Sequence, residues 1–175
     1  VLAALGEIVA EYMSSHHIPS VHILHIYTVL EFNTIALFYY LFFGHFYPRW
    51  LVPGLMVGFT GLAVLNTAFL QPLTGYNSYA RSLEGVLIIG LALLCYQKML
   101  VELTTKRLDK SPVFWINTGF LLYFAGNLFF FILGNALIKE PRQSLSFMTW
   151  GLHSLLMALM HSFIGVGLWF SPQLR

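Results

Sequence analysis

The chain has little of what a water-soluble domain needs. Of its 175 residues 9% are charged, one is cysteine and one is aspartate. Soluble domains carry roughly 25% charge, and the 58% of hydrophobic residues here is more than a core of this size can hide from water. The lone cysteine, Cys95, lies deep in an apolar run, which excludes a disulfide framework and any cysteine-based metal motif. No internal repeat is visible, and no pair of Gly/Pro-broken helices occupies matching positions, which weighs against a repeat-built transporter. The first residues lack the basic start and small-residue cleavage site of a signal peptide.

What the chain does have is apolar length. Five stretches are long enough to cross a bilayer, which takes about 20 residues: His22 to His45, Trp50 to Leu70, Tyr79 to Leu103, Val113 to Ile138 and Phe147 to Phe170. A shorter one, Val1 to Ser15, opens already apolar and is expected to be the end of a longer helix, giving six or seven spans in the intact protein. The separators HHIPS, HFYPR, QPLTGYNS, TTKRLDKSP and KEPRQS carry proline, which removes a backbone donor and restricts the residue before it. Ser111 before Pro112 reads as a helix start. The fold class is therefore all-α, one polytopic membrane domain over residues 1–175, with lipids as its first partner.

Lys and Arg are unevenly placed. Arg49, Lys98, Lys106, Arg107, Lys110 and Arg175 fall on one side, and only Arg81, Lys139 and Arg142 on the other. The richer side is expected to be cytoplasmic, together with the C-terminus.

Against this background the acidic residues stand out, because Glu7, Glu11, Glu31 and Glu84 lie inside apolar runs, where ionisable groups mark function by default. At 1.5 Å of rise per residue, Glu11 and Glu7 sit about 6 and 12 Å below the outer ends, Glu31 about 13 Å and Glu84 about 8 Å. His153 lies about 10 Å down the last helix, with Asn127 at a similar level. Glu7 and Glu11 are i,i+4 neighbours, and Arg81 and Glu84 are i,i+3 neighbours expected to form a buried pair. On the last helix Trp150, His153, Met157 and His161 form one stripe. The expected ligand-binding set is Glu7, Glu11, His25, Tyr27, Glu31, Arg81, Glu84, Asn127, Trp150 and His153, lining a pocket open to the outside, with Tyr27, Tyr76, Tyr79 and Trp150 as walls. The bland alternative is that these groups are interhelical hydrogen-bond glue.

Other chemistries fit less well. Retinal binding needs a lysine near mid-membrane, and Lys98 lies near a helix end. A b-type haem would have only His25 and His153 to draw on. One zinc ion cannot take both His153 and His161, which are separated by about 12 Å of rise. No catalytic residue, metal or cofactor is assigned, and no nucleic-acid partner is expected.

Several stretches together, LGEIVAEYM, IPSVHILHIYTVLEF, YARSLEGVLIIGLALLCYQKML, SPVFWINTGFLLYFAGNLFFFI and WGLHSLLMALMHSFIGVGLWF, carry a resemblance. The chain resembles a group of uncharacterised bacterial seven-helix inner-membrane proteins of sensor-like type, which tend to accompany two-component signalling proteins. The resemblance implies that Glu7, His25, Tyr27, Glu31, Arg81, Glu84, Phe114, Trp115, Asn127 and His153 occupy the family's motif positions; it assigns them no role. His161 stands where relatives often have Asn. The function expected is that of a receptor-like membrane protein binding a small polar or amphipathic ligand, or protons, and signalling to a partner in trans, with homo-oligomers an open option. The alternatives are an intramembrane lipid-acting enzyme and a structural subunit of a larger complex.

The charge asymmetry makes a direct prediction. A cysteine placed in SSHHIPS should react with an impermeant thiol reagent added outside the cell, and one in TTKRLDK should not; the reverse labelling would overturn the orientation.

Overall fold

The computed structural model describes residues 21–71, 77–102, 108–139 and 143–171, with side chains given except at 21–23, 134–139 and 143–150. Among these residues the protein is all helical. The helices are α1 (Val21–Phe43), α2 (Leu51–Leu65), α3 (Ser78–Glu102), α4 (Pro112–Lys139) and α5 (Gln143–Trp169). A π-helical turn, Asn66–Leu70, extends α2, and a 3-10 turn, Leu108–Lys110, precedes α4. Five segments are long and apolar enough to cross a membrane, α2 with its π turn counting as one. The expectations for Val1 to Ser15, including Glu7 and Glu11, lie outside the described residues.

Two boundaries differ from the sequence reading in informative ways. The apolar run from Trp50 to Leu70 does not end as a plain α-helix, because the polar pair Asn66–Thr67 sits where the ladder widens to the π form. The last helix starts at Gln143, a turn earlier than Phe147, so its first turn is polar rather than apolar. Where Pro112 follows Ser111, α4 does begin, and the Ser111 carbonyl accepts from Trp115 N at 3.5 Å.

The order of packing is α2–α1–α3–α4–α5, with the broadest faces between α4 and α5 and between α3 and α4. α1 lies against both α2 and α3. The core is aromatic and branched: Phe32, Tyr39, Phe59, Ile88, Leu91, Phe124 and Phe131 are buried, and the Phe32 and Phe59 rings meet at 4.2 Å. Ile26, Leu41, Val57, Phe69 and Leu100 point outward and are exposed, as side chains facing hydrocarbon should be.

The chain end of α1 is closed by another helix. Gly44, at φ +55°, adopts the left-handed conformation that stops α1 without a Cβ clash. The carbonyls of Phe42 and Phe43, left without intrahelical partners, accept from Lys98 Nζ at 2.6 and 2.8 Å. Tyr47 donates to the Leu94 carbonyl at 2.9 Å, and Tyr39 donates at 2.8 Å to Asn117, whose own amide donates to the Ala92 carbonyl. These bonds fix one end of α1 to α3 and α4.

Helices α4 and α5 approach closely because glycines remove side chains between them, the usual device in membranes. A Cβ at Gly167 would meet the Pro112 carbonyl at 2.8 Å and Ile116 at 2.7 Å, whereas one at Gly165 would meet nothing within 4 Å. Gly167→Ala should therefore destabilise the protein by about 1–3 kcal/mol through overpacking. Gly165→Ala should be neutral or mildly stabilising. Thermal unfolding in detergent checks both, and equal melting temperatures for the two variants would refute the close contact.

Candidate functional site

The polar groups collect in the half of the bundle opposite the Lys98 end. Antiparallel helices bring together the start of α1, the end of α2, the start of α3, the latter half of α4 and the early part of α5. On α3, Ser78, Arg81, Glu84, Gly85 and Ile88 share the buried face through their three- and four-residue spacing.

Arg81 is the centre of this region. Its Nη1 donates to Glu84 Oε2 at 2.8 Å on its own helix and to Glu31 Oε2 on α1. Tyr27, one turn before Glu31, donates to the other Glu31 oxygen at 3.2 Å. The guanidinium also lies 5.5 Å from the Tyr27 ring centre and 5.3 Å from that of Phe131, within cation–π range. Side-chain exposure is 7% for Arg81, 10% for Glu31 and 0% for Glu84, so all three are withdrawn from solvent. Glu84 Oε1 is buried and accepts no hydrogen bond among the described residues. The expected Arg81–Glu84 pair is thus a triad that ties α1 to α3.

Charge does not balance within the triad. Arginine stays protonated in proteins, so two ionised carboxylates around it leave one negative charge in excess. A proton, or a cationic group brought by a ligand, would neutralise it.

A second cluster joins α4 to α5. Asn127, fully buried, donates from Nδ2 to the Tyr123 carbonyl at 2.9 Å, which leaves Oδ1 to accept from His153 Nδ1 at 2.9 Å. His153 Nδ1 therefore carries a hydrogen. The imidazole lies between two aromatic neighbours, 5.7 Å from the Tyr123 ring and 6.4 Å from the Phe131 ring. Phe131 thus touches both Arg81 and His153 and forms the wall between the clusters.

A third cluster was not anticipated. His25 Nδ1 meets Thr67 Oγ1 at 3.0 Å, and the Thr67 hydroxyl donates to the Ala63 carbonyl, so His25 is the donor. Asn66, in the π turn, donates from Nδ2 to Gln71 Oε1 at 3.1 Å and to Asn77 Oδ1 at 3.0 Å. Gln71 Oε1 also accepts from the Tyr79 amide at 3.3 Å. The sequence carries a signal for it, since Asn66 and Thr67 interrupt an apolar run.

The structure therefore brings Tyr27, Glu31, Arg81 and Glu84 to one point, pairs Asn127 with His153 beside it, and gives His25 a different partner on α2. The single shared cavity wall expected of Tyr79 is not formed, because its side chain is exposed. His161 is also exposed and bonds the Met157 carbonyl of its own helix, so the proposed stripe through His153 does not hold as one buried face. The side chains of Glu7, Glu11, Tyr76 and Trp150 lie outside the described residues. Comparison of the chain with protein-family models, curated proteins and solved structures finds no match.

Removing one member of a buried ion cluster is far worse than removing all of it, because a stranded charge remains. Arg81→Ala should lower stability by roughly 3–5 kcal/mol. Replacing the whole triad, Glu31→Leu, Arg81→Met and Glu84→Leu together, should recover most of that loss. Melting in detergent would show it, and a wild-type melting temperature for Arg81→Ala would refute the buried triad.

Proposed function

We propose that the protein is a receptor-like, sensory membrane protein whose Glu31–Arg81–Glu84 triad takes up a proton, or the cationic group of a small polar or amphipathic ligand, and converts that event into a shift of α1. The observation that carries this reading is one guanidinium shared by carboxylates from two helices, with the second oxygen of Glu84 left unsatisfied in a low-dielectric setting. Neutralising Glu31 weakens the link between α1 and α3 at that end. At the other end Lys98, Tyr47 and the Tyr39–Asn117 bridge hold α1 in place. Loosening one end of a helix fixed at the other makes it pivot: the triad end of α1 moves most, and at the clamped end the tilt of α1 against the loop after Gly44 changes, which a partner in trans would read. Following the Lys/Arg asymmetry and the family resemblance, the reading takes the triad as the outer half of a bacterial inner-membrane protein and the C-terminus as cytoplasmic.

The groups that bear on the triad are Tyr27 from α1, Tyr123 from α4 and His153 from α5, so the response belongs to the cluster rather than to one carboxyl. The test places spin labels at Ile26→Cys and Val86→Cys, both exposed positions on α1 and α3, with Cys95 left in its buried place. Lowering the pH should change the α1–α3 distance by about 1–2 Å or more. Glu31→Gln, which removes the one excess negative charge, should give the low-pH distance at every pH. A distance independent of both pH and substitution would leave the polar groups as interhelical glue and favour the structural-subunit reading.

A further inference from the structure

The triad is buried, yet a group that exchanges protons needs a path to water. Two further polar atoms besides Glu84 Oε1 accept no hydrogen bond among the described residues although they are buried: Asn66 Oδ1 and Ser78 Oγ. Asn66 is 5% exposed and Ser78 2%. They lie on the two sides of one junction, because Asn66 donates to Asn77, the residue before Ser78. Ser78 stands on the same face of α3 as Arg81 and Glu84, one turn nearer the helix end, a separation of about 4.5 Å of rise between Ser78 and Arg81. The unsatisfied atoms thus lie at successive levels from the helix end, with Glu84 about 9 Å of rise beyond Ser78.

Each of these atoms can accept a hydrogen bond, and none has a donor supplied by the described residues. Buried acceptors of this kind are ordinarily met by internal water, which needs two to four polar partners. The neighbourhood supplies them in Gln71 and Asn77, both buried and polar. Non-helical backbone at membrane depth is tolerated where it is buried in protein or lines a water-filled space. The π turn and the chain at Gln71 and Asn77 fit that condition, and π turns inside helices recur at functional sites.

We infer that the Asn66–Gln71–Asn77–Ser78 junction is a hydrated mouth, a binding site for ordered water that carries protons between the end of the bundle and Glu84. This deepens the sensory reading and rests on it for its purpose, though the hydration stands or falls by itself. Water bound between Asn66 Oδ1 and Ser78 Oγ continues past Ser78 and alongside Arg81, which lies between Ser78 and Glu84 on α3, toward the free oxygen of Glu84. His25 lies at the flank through Thr67, Tyr27 bonds the Glu31 member of the triad from α1, and Tyr123 and His153 face it from beyond Phe131.

Small hydrophilic methanethiosulfonates react with thiolates, which form only where water reaches. In the full-length chain, Ser78→Cys and Asn66→Cys should be modified at rates at least tenfold above that of Ile88→Cys, which lies on the same buried face beyond the triad, and above that of native Cys95. Two positions guard against one variant failing to fold. Rates as low as those of Ile88→Cys at both positions would overturn the inference. A second arm uses Asn66→Leu, which fills the junction with apolar atoms: after a pH jump, the α1–α3 distance should reach the same end points more than tenfold more slowly. An unchanged rate would equally overturn the mouth, whereas reactive cysteines with no pH-dependent distance in the wild type would remove the sensory reading and leave the hydrated junction intact.

Discussion

The structure turns on one guanidinium in a place with almost no water. Arg81 cannot shed its charge, and hydrocarbon cannot solvate it, so carboxylates from α1 and α3 must come to it. That requirement sets the distance between the two helices and the rotation of each about its axis. The aromatic residues follow from it as well. Tyr27 satisfies the second oxygen of Glu31, and both Tyr27 and Phe131 lend ring faces to the cation. Removing the charge cluster in one piece is tolerable in principle, whereas removing one member strands a buried charge.

The two ends of the bundle have different characters. At the Lys98 end, each polar contact meets a stoichiometric need: orphan carbonyls of α1 receive an ammonium, the Tyr47 hydroxyl finds a carbonyl, and Asn117 joins three helices with both ends of its amide occupied. At the triad end, three buried oxygens, of Asn66, Ser78 and Glu84, accept no hydrogen bond among the described residues. On the proposed reading, a helix clamped at one end and held by a neutralisable link at the other is the element with two arrangements. That is the kind of element a small chemical event can bias.

Phe131 extends this logic to the outer helices. Its ring contacts Arg81 on one side and His153 on the other, so repacking around the guanidinium is felt at the Asn127–His153 bridge that joins α4 and α5. The glycine-lined approach of those two helices leaves little slack to absorb such a shift. Coupling across the bundle then needs no long chain of charges, only close packing around one ring.

Periodicity and composition alone determined the helical membrane class, the five spans to within a turn, and the half of the bundle in which Glu31, Arg81, Glu84, Asn127 and His153 meet. Those properties depend on the length and rise of single helices, which a sequence states directly. Which residues share a partner depends on how neighbouring helices rotate and how near they approach, and only the tertiary structure decided it. Thus Arg81 and Glu84 could be paired from their spacing, but Glu31 reached the same cation only through the packing of α1 on α3. His25, expected in the same ligand-binding set, meets Thr67, because α2 flanks that side of α1. The Asn66 junction stayed illegible for a related reason: besides its local partner Gln71, Asn66 bonds Asn77 at the start of α3, and that contact forms only when α2 and α3 fold against each other.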